Sequence, residues 1–177
     1  MKRRQLLLAA LALAGCSTPG VKLDAPYVST PYEVVAEMLQ LAAVGPGDLV
    51  YDLGCGDGRI VIAAAKEFGA RGVGVDIDPR RIAEANAAAR RAGVAQHVRF
   101  VVQDLFQTDL SDATVVALYL FPEINEKLKP KFLAELKPGA RIVSHEFGIG
   151  DWPPARTALV DLGGAHKYVH LWIVPPR

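Results

Sequence analysis

Val50-Tyr51-Asp52-Leu53-Gly54-Cys55-Gly56-Asp57-Gly58-Arg59-Ile60-Val61 is an apolar run that breaks into an acid-flanked glycine loop and then becomes apolar again. This order predicts a strand, a tight turn and a helix. Glycines at three alternate positions let the backbone turn sharply at the strand's end and leave no side chain to block a ligand. A dinucleotide fingerprint, G-x-G-x-x-G, sets a pyrophosphate on backbone amides at the helix N-terminus, where carboxylates would repel it. Here the third glycine comes one residue early at Gly58, Arg59 stands where it would have been, and Asp52 and Asp57 add negative charge. The loop suits a small organic ligand with a positive, phosphate-free end.

Working outward, strand and helix patterns alternate. Strands are expected over residues 49–53, 72–76, 98–103, 114–120 and 141–144, the third and fourth of them short and rich in β-branched residues. Between them lie a helix over 58–68 and one opened by Asp78-Pro79, with Ile82, Ala85 and Ala89 inward and Gly93 as its stop. A further helix over 122–136 should be kinked or split at Pro130, whose missing amide and ring interrupt helical bonding. Residues 156–162 and 166–174, joined by Gly163-Gly164, read as a hairpin. Ahead of the glycine loop, Thr30-Pro31-Tyr32-Glu33 predicts a helix start with Thr30 as cap, Pro31 in the first turn and Glu33 completing a capping box. Val34, Val35, Met38, Leu39 and Ala42 form its buried stripe, and Gly45-Pro46-Gly47-Asp48 ends it. The fold class is therefore α/β: a Rossmann-like, mainly parallel sheet with helices on both faces and a C-terminal antiparallel hairpin. Ligands of such sheets bind at the carboxyl ends of the strands.

A chain of 177 residues with 51% apolar side chains suits one core. Residues 1–16 read as a leader, because Lys2-Arg3-Arg4 precedes an apolar segment over 6–14 that is too short to span a bilayer. Leu13-Ala14-Gly15-Cys16 resembles the bacterial lipobox, which implies lipidation of Cys16 and a membrane-anchored lipoprotein, and Arg3-Arg4 resembles a twin-arginine signal. Residues 17–26 would be a tether and 27–177 the folded domain. Without Lys2, Arg3 and Arg4 the chain carries 17 basic and 19 acidic side chains, with no basic patch pointing to nucleic acid. The four histidines are scattered, and no metal site is expected.

Asp52-Leu53-Gly54-Cys55-Gly56-Asp57-Gly58 resembles the first motif of class I S-adenosylmethionine (SAM)-dependent methyltransferases. The resemblance implies that Asp52, Gly54, Cys55, Gly56 and Gly58 wrap the methionine part of the cofactor. Asp76, with Ile77 beside it, ends the second strand about twenty residues past the loop, where a carboxylate can accept from ribose hydroxyls. Asp78 is its rival, with helix capping as the alternative role. Asp104-Leu105 resembles the family's adenine-binding motif, or is a turn carboxylate and its neighbour. The stretch from Ala117 to Asn125 should face the methyl acceptor, and it departs from the Asn-Pro-Pro-Tyr motif of enzymes that modify DNA bases or glutamine. Tyr119 and Glu123 would orient an amine within a wall that includes Phe121 and Pro122; alternatively the aromatics are core. His145-Glu146 is a second candidate pair.

Tyr27-Val28-Ser29-Thr30-Pro31, Asp52 to Val61 and Asp151-Trp152-Pro153-Pro154 together resemble a narrower group, the protein-lysine methyltransferases acting on the c-subunit of ATP synthase and on the adenine nucleotide translocase. That resemblance implies that Tyr27, Thr30 and Pro31 close over the cofactor, and that the partner is a protein lysine met by a monomer. A small-molecule acceptor, or a tethered SAM-binding module without turnover, is the alternative. SAM is made in the cytosol, so a cytoplasmic location competes with the anchored one.

Overall fold

The computed structural model describes residues 28–177; the expected leader and tether, Cys16 and Tyr27 lie outside them. Five parallel strands are β1 (Leu49–Leu53), β2 (Arg71–Asp76), β3 (Val98–Val102), β4 (Val115–Leu118) and β5 (Arg141–His145). The terminal hairpin supplies β6 (Arg156–Asp161) and β7 (His166–Ile173), and β7 pairs antiparallel with β5. The sheet order is β3-β2-β1-β4-β5-β7-β6. Expected and observed fold class agree.

Side-chain alternation along the strands divides the core into two layers. Val50, Val115, Ala117 and Val143 face α1 (Tyr32–Leu41) and α2 (Arg59–Phe68), while Ile82, Ala85 and Ala89 of α3 (Pro79–Ala92) pack with Val61 and Phe100. Tyr51, Val116, Leu118 and Ile142 face Ile124, Leu128 and Phe132 of α4 (Pro122–Glu135). The second layer is thinner. Between β3 and β4 the chain makes only a 3-10 turn, Leu105–Gln107, where an α-helix would otherwise cover the sheet.

Three local expectations need correction. Pro31, not Thr30, is the N-cap residue of α1, and no side chain caps that end. Thr30 has a distant partner instead: its Oγ1 lies 3.3 Å from Nδ1 of His145. The same helix stops at Leu41, before the glycines, because Ala43 takes a left-handed conformation at φ 48 and the Arg141 guanidinium donates to the carbonyls of Ala42 and Ala43 at 2.7 and 3.0 Å. Finally, of the kink or split expected at Pro130, the split is absent: α4 runs through that residue as one helix. The carbonyl that loses its partner belongs to Glu126, and both residues are exposed, so water can satisfy it.

The capping of α3 follows the sequence. Asp78 accepts from the Arg80 amide at 2.9 Å, and Gly93 stops the helix at φ 74. Asp78 therefore takes the capping role.

Candidate active site

Parallel strands in register put Leu53, Asp76, Val102 and Leu118 at one end of the sheet, and the chain segments leaving that end surround an open cleft. The glycine loop forms its floor. Gly54 and Cys55 both donate to the Val75 carbonyl at 2.9 Å, while Asp76 accepts from the Gly56 amide through Oδ2 and from the Asp78 amide through Oδ1, each at 2.9 Å. Asp76 thus braces the loop and still borders the cleft.

The three loop glycines do different jobs. All have positive φ, at 82, 53 and 78 degrees for Gly54, Gly56 and Gly58, which L side chains rarely adopt. A Cβ at Gly58 would lie 2.6 Å from the Phe100 ring and 2.9 Å from Ala85 Cβ, so this glycine serves close packing within the protein. Neither Gly56 nor Gly58 lines the cleft; Asp52, Gly54 and Cys55 do.

Negative charge gathers on this floor. Asp52 is buried and takes no hydrogen bond from another described residue; burial, with Asp76 and Asp57 nearby, pushes its carboxyl up to about 8. Burial likewise pushes the Cys55 thiol up, so it is a packed thiol and not a nucleophile. Asp57 pairs with Arg59 through contacts of 2.6 and 2.9 Å. Arg59 also donates to the Thr30 carbonyl at 2.8 Å and sits 5.1 Å from the centre of the Tyr32 ring. One guanidinium therefore ties the segment before α1 to the loop, and Val28, Ser29 and Thr30 of that segment border the cleft while Pro31 does not.

The far floor is Ile77 and Asp78, and the end beyond it is Gln103, Asp104 and Leu105. Asp104 accepts from the Phe106 amide at 2.8 Å, which fixes the 3-10 turn and presents Leu105 to the cleft. A buried, uncompensated carboxyl at one end and apolar side chains beside carboxylates at the other form a donor set that fits a ligand with a cationic head and a nucleoside tail.

Tyr119, Leu120 and Ile124 wall the opposite side. Phe121 is exposed at 42% and, with Pro122 and Glu123, lies on the rim outside the cleft lining. Sequence reasoning missed Phe147 and did not set His145 against Tyr119. Phe147 lies 6.2 Å from both Tyr119 and Phe121 ring to ring, and the His145 ring stacks on Tyr119 at 3.9 Å. An aromatic two residues past the end of β5, beside Tyr119 just past β4, was the available signal for Phe147. His145 is fully buried, and burial pushes its ring down to about 4 although Glu146 works the other way. Its imidazole is neutral at physiological pH.

Among the described residues no group of three His, Cys, Asp or Glu side chains could hold a metal, and no helix is long and apolar enough to cross a membrane.

Fold and cleft together define a SAM-dependent methyltransferase. Residues 52–156 match the ANTKMT methyltransferase domain, and the chain belongs to that family. It is 48% identical to a protein-lysine N-methyltransferase of Saccharolobus islandicus over 84% of this chain and 93% of the relative. Identity to the adenine nucleotide translocase lysine N-methyltransferase of Mus musculus is 38%, over 76% of this chain and 58% of that longer protein. The crystal structure of an RNA methyltransferase from Salinibacter ruber with S-adenosyl-L-homocysteine superposes with a TM-score of 0.80 at 51% identity, covering 85% of this chain and 95% of that one. S-adenosylhomocysteine is what SAM becomes on losing its methyl, and SAM is the cofactor of this chain.

Proposed function

We propose that this chain, acting as a monomer, transfers a methyl group from SAM to the side-chain amine of a lysine in a protein substrate. The observation that carries the reading is the aromatic shelf of Tyr119, Phe121 and Phe147 at the cleft's edge, in a chain nearly half identical to a protein-lysine N-methyltransferase over almost that relative's whole length. SAM supplies a methyl on a positively charged sulfur, so that transfer to an amine leaves a neutral thioether. Asp52 would hold the cationic methionine end, Asp76 the ribose hydroxyls, and Ile77, Asp104 and Leu105 the adenine. Thr30 and Arg59 would keep the segment before α1 over the cofactor. Tyr119, Phe121 and Phe147 would sheath the lysine's methylene stem.

A lysine must be neutral to attack. Poorly hydrated aromatic walls disfavour the ammonium form, and the cleft's open mouth lets the lost proton pass to water. Glu123, exposed in the chain beside Phe121, sets a carboxylate where it would attract a protonated lysine as it approaches. Methyl transfer then depends chiefly on alignment, a demand that aromatic packing meets without a dedicated base.

A second reading is favoured by the same shelf, since a flat base can stack on aromatic rings and the Salinibacter relative is an RNA methyltransferase. Composition adds no basic patch for a polyanion, since residues 17–177 carry 17 basic against 19 acidic side chains. Incubating the purified chain with methyl-labelled SAM, a membrane and ribosomal protein fraction, total RNA and a metabolite extract separates the readings. Label on protein lysines, located by mass, is the expected result; label confined to RNA or to small molecules overturns it, and SAM binding without any transfer would leave only a binding module.

We also propose that Cys16 carries a lipid anchor, supported by Lys2-Arg3-Arg4, the short apolar run after it and Leu13-Ala14-Gly15-Cys16. Fatty-acid labelling that Cys16→Ser abolishes is expected; an unlabelled chain that fractionates with the cytosol contradicts it.

A further inference from the structure

His145 connects two parts of the cleft that are far apart in sequence. Its Nδ1 lies 3.3 Å from Thr30 Oγ1, and the face of its ring covers Tyr119 at 3.9 Å between centroids. Thr30 is also held from the other side, because its carbonyl accepts from Arg59, and Arg59 pairs with Asp57 of the glycine loop. The contacts run without a gap from the cofactor floor to the acceptor wall: Asp57, Arg59, Thr30, His145, Tyr119.

We propose that His145 is a positioning residue that holds Tyr119 for the acceptor and, through Thr30, couples that wall to the segment roofing the cofactor. The proposal rests on the methyltransferase reading of the cleft, though not on which acceptor is methylated.

Packing alone does not account for an imidazole here. Nε2 is buried and has no hydrogen-bond partner among the described residues, an arrangement that a phenyl ring of similar size would avoid. What the imidazole adds is the Nδ1 contact with Thr30. The charged groups facing the ring are Glu146, whose Oε2 is 4.0 Å from Nε2, and Lys167 of β7, whose Nζ is 3.7 Å from that same oxygen. Lys167 answers the carboxylate, and the buried ring stays neutral. The Thr30 contact consequently persists across the working pH range. Glu146 itself sits at φ 69, where the strand turns sharply, with its amide on the Tyr168 carbonyl at 2.7 Å, so the ring is fixed from its own backbone as well.

The two links can be cut separately. His145→Phe keeps a ring on Tyr119 and removes the Thr30 contact; His145→Asn keeps a polar atom for Thr30 and removes the ring; Thr30→Val cuts the same link from the other end. Calorimetry with SAM and with S-adenosylhomocysteine reads the cofactor side, and kcat and KM on whichever acceptor the unaltered chain methylates read the other. His145→Phe and Thr30→Val should each weaken cofactor binding roughly 3- to 10-fold, the range of one hydrogen bond, with the double variant no weaker than either. His145→Asn should hold cofactor affinity within about twofold and lower kcat on the order of tenfold, the signature of a misaligned wall. Additive losses in the double variant overturn the coupling, as do unchanged affinity and kcat in variants that only melt earlier. If the His145 variants do not fold, Thr30→Val decides alone: weakened cofactor binding supports the proposal and unaltered binding refutes it. The calorimetric arm needs no acceptor, so it gives its answer even if lysine proves to be the wrong substrate.

Discussion

The cofactor end and the acceptor end of this cleft are built from different material. The cofactor floor is backbone and charge: left-handed glycines, amides tied to the Val75 carbonyl, and three carboxylates from one loop and the ends of two strands. The acceptor wall is aromatic side chain: His145 and Phe147 each stack with Tyr119, at 3.9 and 6.2 Å between ring centroids, and Phe121 tilts against Phe147 at 51° beyond the ends of β4 and β5. A backbone-built site admits few substitutions and defines one ligand, while a side-chain wall is adjustable. The relatives that this chain resembles are named for different targets: a protein lysine, the adenine nucleotide translocase and RNA.

The largest expected effect breaks the charged end. Asp52→Asn should weaken SAM binding on the order of 100-fold, as expected when one partner of a desolvated charge pair is lost, and calorimetry measures it. Without cofactor the same variant should melt at a higher temperature than the unaltered chain at pH 8. The Asp52 carboxyl rises from about 3.9 unfolded to about 8 folded, so its contribution to stability is complete below the lower value. It is lost as pH climbs through the higher one.

Next in size, Tyr119→Ala or Phe147→Ala should lower kcat on the order of tenfold while leaving SAM affinity within about twofold, measured by steady-state kinetics beside calorimetry. Loss of cofactor binding in either variant would erase the distinction between the two ends.

Gly58→Ala tests whether the loop glycines serve the ligand or the fold. Its Cβ would press on Phe100 at 2.6 Å at a φ of 78, so a stability loss of about 1–3 kcal/mol is expected in chemical denaturation. A ligand-only role would leave stability unchanged. Smallest is Pro130→Ala in α4, which should stabilise the chain by no more than about 1 kcal/mol, because the Glu126 carbonyl it would re-engage is already exposed to water.

The same contrast governs how much the sequence disclosed. Strand ends carrying Asp52, Asp76 and Asp104 were legible because alternating strand and helix leaves one geometry, in which all of them meet at one end of the sheet. Asp78 and Gly93 were legible because caps are local. Thr30 was misassigned for the same reason: a threonine before Pro-Tyr-Glu resembles a cap, and nothing nearby announces that its hydroxyl meets a histidine 115 residues away. Phe147 escaped notice because it belongs to a different strand end from Tyr119, and the pairing exists only once β4 and β5 lie side by side. Gly58 was legible as a glycine but not in its purpose, since Phe100 arrives from β3.

The central claim is that the loop carboxylates select a cationic cofactor, and proton release on binding tests it most directly. SAM binding is measured by calorimetry near pH 7 in buffers of different ionisation enthalpy, for the unaltered chain and for Asp52→Asn, whose difference cancels the ligand's own ionisation. Asp52 is mostly protonated in the free protein at that pH and must ionise to meet a cation. Close to one proton should therefore be released by the unaltered chain beyond what Asp52→Asn releases, with affinity rising with pH up to about 8 and level above it. Equal proton release in the two proteins, with the same affinity for SAM across that range, would contradict the account.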